Sequence, residues 1–292
     1  MTLPVFLTNV FYGLALAMNM FVIASGLSLI WGVLRVINFA HGMFYMFGAY
    51  IIFTVTKSWG APFFVGVLAA GAGLAAIALV IERFLLRRLY DKEHLMQLLF
   101  TFAVVLLMSD VAKMIWGTDQ YSVGYPPALR GAVALGPTIL PQYLVFLCVA
   151  GPLIAVTLWI LVDRTRWGRI VRAATQDREM LAALGVNVPI VYAVVFMIGS
   201  ALAGIGGALA APRIAVAPGM DATVIVECFI IVIIGGLGHL WGGFLGALAF
   251  GLVVQFGAIF VPNWQDVMPY VLMLAVLLIR PWGLLGRPEL SR

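Results

Sequence analysis

Few side chains in this sequence are equipped for chemistry, and most of those stand where charge is costly. Asp110 and Lys113 lie three apart inside one apolar run, and Glu227 stands alone in another. His41 and His239 sit beside glycines, where apolar runs break. Burying one charged side chain at mid-bilayer costs roughly 2.5–3.5 kcal/mol on insertion scales, so such residues face a partner, a wet cavity or a transport path. Asp110 and Lys113 share a helical face at that spacing and can neutralise one another. Glu227 has no neighbour of opposite sign; it reads as a group facing an outer vestibule, a partner protein or interfacial water. His41 and His239 either make hydrogen bonds that pack helices or line a solute path. With Asn38 and Tyr45, beside His41, and with Glu227, they form the candidate substrate pathway.

Enzyme chemistry has nothing comparable to stand on. The sequence contains no Gly-Lys dipeptide, so the backbone cradle and lysine of a phosphate-binding loop are missing. It also has no His-Glu-x-x-His, no metal-ligand spacing and no Gly-x-Ser-x-Gly. His94 falls in a charged loop. Cys148 and Cys228 lie in apolar runs outside any Cys-x-x-Cys pair and read as small core residues. No catalytic residue, metal site or cofactor is expected in this chain. If ATP drives it, another subunit binds the nucleotide.

The loop at 163–187 carries the densest polar pattern: Arg164, Arg166, Arg169, Arg172 and Arg178 alternate with Asp163, Asp177 and Glu179. Positions 170–184 are good helix material, and Gly185 is a natural stop. The spacing puts Ile170, Ala174, Leu181 and Leu184 on one stripe and Arg172, Gln176 and Glu179 on another. A short amphipathic helix between two spans can lie on lipid or dock a soluble partner. The mixed charge favours docking over simple binding to anionic lipid.

The elements holding these residues are membrane spans. Of 292 residues, 64% are hydrophobic and 10% charged; mean hydropathy is +1.10. A soluble domain is about half apolar and a quarter charged. Apolar runs fall at about 9–30, 36–56, 62–84, 95–117, 142–162, 188–211, 223–240, 242–261 and 266–280, predicting an all-α, polytopic bundle of eight or nine membrane segments in a single domain spanning 1–292. The run at 36–56 opens on Asn38, His41 and Gly42, and Gly-rich 235–243 separates two others. Both predict broken or re-entrant helices. The first run has no basic residue before it and no cleavage pattern, so it reads as a retained span.

Thirteen of the seventeen Lys and Arg residues fall on one side if every run crosses: Arg35, the loop 83–92, the loop 163–187 and the C-terminal Arg280, Arg287 and Arg292. The positive-inside rule puts that side, with the C-terminus, in the cytoplasm. The N-terminus then lies outside, or inside if 36–56 turns back. The loop near 118–141 reads as irregular cover on the outer side. The net charge of +5 comes with no basic stripe interleaved with aromatics, which argues against nucleic acid and for contact with lipid.

Two stretches carry a family resemblance. One is Gly26-Leu27-Ser28-Leu29-Ile30-Trp31-Gly32-Val33-Leu34-Arg35-Val36-Ile37-Asn38-Phe39-Ala40-His41-Gly42, followed by Tyr45-Met46 and Gly48-Ala49-Tyr50. The other is Arg172-Ala173-Ala174-Thr175-Gln176-Asp177-Arg178-Glu179-Met180 with Leu184-Gly185-Val186. With the Gly235–Gly242 patch they resemble the LivH-type permease of bacterial branched-chain amino acid ABC importers, in order and over almost the whole chain. The resemblance implies a translocation subunit paired with a second, LivM-type permease, two cytoplasmic ATPases and a periplasmic substrate-binding protein. It makes the segment around Arg172, Ala174, Gln176, Asp177, Glu179 and Gly185 the element that couples to an ATPase. One departure is Met43, where many members carry Glu after the His-Gly pair. Permeases for urea and short amides share the pattern, so the cargo class stays open, and an ion-coupled carrier using Asp110 or Glu227 is the alternative of another kind.

Overall fold

The first apolar run folds as one helix, α1 (Leu3–Leu34), about 48 Å long at 1.5 Å per residue. Pro4 fits its first turn, where a missing N–H costs nothing. It stops at Arg35, which adopts the left-handed region with φ 52° and donates its N–H to Trp31 O at 3.0 Å. Arg35 is the only non-glycine residue with positive φ among the described ones. Residues 35–38 are non-helical, and α2 (Ala40–Phe53) then begins, continuing into a π-helical turn, Thr54–Ser58. The computed structural model describes residues 2–90 and 92–286.

The other helices are α3 (Phe63–Phe84), α4 (His94–Trp116), α5 (Gln142–Trp159), α6 (Arg166–Gln176), α7 (Arg178–Ala183), α8 (Val188–Ala210), α9 (Met220–Gly235), α10 (Leu240–Phe260) and α11 (Met268–Ile279). By length and composition six can cross a membrane: α1, α3, α4, α5 with its π-helical continuation to Arg164, α8 and α10. All nine apolar runs are helical, but α2, α9 and α11 are shorter. The protein is an all-α, multi-pass membrane bundle.

Alpha1 is the central post, packed against α10, α8, α5 and α9. Small residues let the backbones approach where no hydrophobic force drives helices together in lipid. A Cβ on Gly48 would strike the backbone of Gly204, one on Gly207 the carbonyl of Tyr45, and one on Gly26 the carbonyl of Gly199. Asn19 ties α1 to α8 by donating from Nδ2 to Gly206 O at 3.0 Å.

The two ends of the bundle differ. At one, Tyr50 stacks on Trp116 at 4.7 Å, Tyr125 stacks on Tyr143 at 5.1 Å, and the Tyr143 hydroxyl donates to Leu209 O at 2.6 Å. The loop there holds a β-hairpin, β1 (Ala132–Leu135) against β2 (Thr138–Pro141), turning at Gly136 with φ 59°. The expectation of an irregular loop is corrected here. Four-residue strands are too short to leave an alternation against an apolar background. At the other end lie α6 and α7, Arg35, Arg83, Arg87, Arg88 and Arg280. Arg287 and Arg292, read as part of the same basic cluster, fall outside the described residues.

Candidate functional site: a broken span and a proud pair of helices

The centre of the bundle is the break before α2. Asn38 and His41 are fully buried. Asn38 Oδ1 accepts the Ala40 N–H at 3.1 Å, serving one of the free donors at the start of the new helix. His41 Nε2 lies 2.8 Å from the Ile23 carbonyl and, as the donor, fixes the tautomer. The backbone that left the helix is served from α4: Thr101 Oγ1 accepts the Phe39 N–H at 3.4 Å and lies 3.3 Å from Ile37 O. Non-helical backbone is tolerated at membrane depth on this condition, that protein replaces its lost hydrogen bonds.

The satisfaction is incomplete. Asn38 Nδ2, His41 Nδ1, Tyr50 OH and Ser200 Oγ are buried with no partner among the described residues; Ser200 follows the Gly199 that abuts Gly26. Each such group costs about 1–3 kcal/mol, a penalty borne where a segment binds something or rearranges. Tyr45 is buried one turn beyond His41, and Met43 is fully buried with it. Glu227 is half-buried in the middle of α9, between the exposed Val226 and the buried Cys228. His239 is elsewhere. It is exposed and caps α10, its Nδ1 accepting the Gly242 N–H at 3.3 Å. Its neighbour Gly238 packs on Gly32, nine residues along α1 from Ile23, or ~13 Å of helix. The structure therefore joins Asn38, His41 and Tyr45 and separates His239 from them. Asp110 and Lys113 pair with each other at 2.9 Å, as their spacing predicts.

The second feature is the segment after α5. One helix over 170–184 was expected; there are two, α6 and α7. Asp177 breaks them with φ −151° and ψ 100°, and its Oδ1 accepts the N–H groups of Glu179 at 3.0 Å and Met180 at 2.9 Å. The break resets the stripe. Val171, Ala174 and Leu181 are buried, whereas Leu184 is 75% exposed and Met180 61%. Gln176, Asp177 and Glu179 are exposed with them, and Gly185 ends the turn at φ 83°. Arg172 does not join that face. Its Nη1 donates to Val162 O and forms an ion pair with Asp163 at 2.8 Å, fastening α6 to the end of α5.

Sequence reading missed Thr101 and the Arg172–Asp163 pair. Thr101 gave no signal because a threonine in an apolar helix ordinarily serves its own helix, and its hydroxyl also lies 3.0 Å from Leu98 O.

Comparison with known proteins accords with these features. A family model described as the permease component of the branched-chain amino acid transport system matches residues 9–277. The chain is 30% identical to the high-affinity branched-chain amino acid transport system permease protein BraD of Pseudomonas aeruginosa, over 98% of each chain. It is 28% identical to the corresponding LivH of Escherichia coli, over 98% of this chain and 97% of that one. A probable LivH of Methanocaldococcus jannaschii is 25% identical over 90% of this chain and 87% of its own. No solved structure matches. A broken central span, a proud helical pair between two spans and a match over nearly the whole length together place this chain in the LivH-type family of branched-chain amino acid transport permease components.

Proposed function

We propose that this chain is a translocation subunit of an ATP-driven importer for branched-chain or related amino acids, with ATP bound and hydrolysed by separate subunits. The observation that carries the reading is the α6–α7 pair, whose exposed face Gln176, Asp177, Glu179, Met180 and Leu184 has both the apolar and the charged groups that a soluble partner needs. Its tether, the Arg172–Asp163 pair, gives motion of that face a route to α5. In this reading the α6–α7 end is cytoplasmic, as the positive-inside rule requires, and the hairpin end meets a substrate-delivering protein. A second permease and two ATPases complete the assembly. Asn38, His41 and Tyr45, with Glu227, line or gate the path; the unpartnered Asn38 Nδ2 and His41 Nδ1 are groups a passing solute or water can satisfy.

The test is uptake in proteoliposomes holding the chain, its genomic neighbours for the other subunits and the binding protein. Uptake should require ATP. Glu179→Arg should abolish uptake while ATP hydrolysis continues, because Glu179 is exposed and serves no cap through its side chain. Accumulation by this chain alone under a cation gradient would instead establish a secondary carrier.

A further inference from the structure

A cavity of about 350 Å³ opens at the α6–α7 end, enclosed by α1, the end of α5, α6 and the turn between α9 and α10. That is the lower range of small-ligand pockets. Arg172 and Asp163 face it together, alongside Thr175, Leu29, Val33 and Trp241. A smaller recess of about 50 Å³ shares its Ser28, Leu29, Val162, Gly238 and Leu240 walls and reaches Ser25, next to the Gly26 that abuts the His41 ring.

We propose that this cavity binds an α-amino acid zwitterion from the α6–α7 side. The guanidinium of Arg172 takes the ligand carboxylate and the carboxylate of Asp163 takes its ammonium, while Leu29, Val33 and Trp241 take an apolar side chain. Both charges needed are present, 2.8 Å apart, on one wall. Opening the pair costs little, because the two side chains are 42% and 44% exposed and such pairs contribute weakly. Among the described residues both bonds of the guanidinium leave from Nη1, so Nε and Nη2 remain to grip a carboxylate while Nη1 keeps Val162. A bound zwitterion opens the ion pair and leaves the Val162 bond as the remaining link between Arg172 and the end of α5, so the amino acid on that side loosens the element that the partner ATPase drives. The choice of leucine as probe rests on the permease reading; the charge match does not.

The experiment labels Thr175→Cys with a water-soluble maleimide in the assembled, reconstituted importer, with the parent chain correcting for Cys148 and Cys228. L-leucine at about four times its Kd should slow labelling about fivefold. Leucinamide, isocaproate and glycerol phosphate at the same concentration should not. Protection should vanish in Arg172→Gln and, with the ion pair untouched, in Leu29→Trp, which fills the cavity. Equal slowing by isocaproate or glycerol phosphate would mark a plain anion site and overturn the proposal, as would protection that survives Leu29→Trp. Uptake without leucine protection sinks this site alone. Protection without ATP-dependent uptake keeps the site and sinks the transport reading.

Discussion

His41 donates from Nε2 to the carbonyl of Ile23 at 2.8 Å, pinning the first turn of α2 to the middle of α1. The Ile23 carbonyl lies within a regular helix and keeps its own helical partner, so losing the imidazole strands no backbone group. His41→Leu should therefore shift thermal stability in detergent by no more than about 1 kcal/mol. His41→Ala adds a cavity and should cost about 2–4 kcal/mol. Both should lose uptake if the ring lines or gates the path. Uptake preserved in His41→Leu would make the residue a packing group only.

Thr101 presents the opposite case. Removing its hydroxyl leaves the Phe39 N–H without the acceptor it has in the bundle, and Ile37 O without a near donor. Thr101→Val should destabilise by about 1–3 kcal/mol, and Thr101→Ser should recover most of it. Parallel thermal melts of the two variants read this directly.

Backbone contact between α2 and α8 tolerates no added atom at Gly48, where a Cβ would collide with the backbone of Gly204. Gly48→Ala should cost about 1–3 kcal/mol through forced separation of the helices. Gly243 on α10 meets nothing within 4 Å of a built Cβ. Gly243→Ala should be neutral or gain about 0.5–1 kcal/mol from helix propensity. Equal effects at the two sites would show that α2 and α8 do not touch as described.

Asp177 both carries charge and caps α7, so its substitutions are separable by residue type. Asp177→Asn keeps an acceptor for the Glu179 and Met180 N–H groups; Asp177→Ala does not. Hydrogen exchange across 178–183 should speed up in the alanine variant, matching a cap loss of about 1 kcal/mol, and stay near the parent rate in the asparagine variant. ATPase coupling should follow the cap rather than the charge if α7 must be helical to dock.

Glu227 has no ion pair or hydrogen bond among the described residues and is half-buried mid-helix. Glu227→Gln removes an unneutralised charge and should leave stability unchanged or raised. A drop in uptake of about tenfold or more, with normal assembly, would assign the carboxylate to the path. Unchanged uptake would leave it with no part in transport.

Much of this was readable from residue types. Asn38 and His41 beside Gly42 announced a break because a helix rarely opens on such residues in the middle of an apolar run, and the structure places the break there. Asp110 and Lys113 announced their own pairing. The division at Asp177 was legible in retrospect, since an aspartate followed two residues later by glutamate is a good helix start, but the propensity of its neighbours masked it. The cavity could not be read at all. Its walls come from three separate stretches of the chain, around Leu29 and Val33, around Asp163 and Arg172, and at Trp241, and no local pattern records which helix ends meet.

The final described residues double back from α11 onto the end of α9. Leu284 donates its N–H to Ile234 O at 2.8 Å and Leu285 to Gly235 O at 3.2 Å. The last carbonyls of a helix ordinarily lack partners, and here those partners emerge from the ribosome about fifty residues later. Those two carbonyls of α9 can be sealed in this way only after Leu284 and Leu285 have been made. A chain truncated after Ile279 should therefore keep all eleven described helices yet leave the end of α9 frayed.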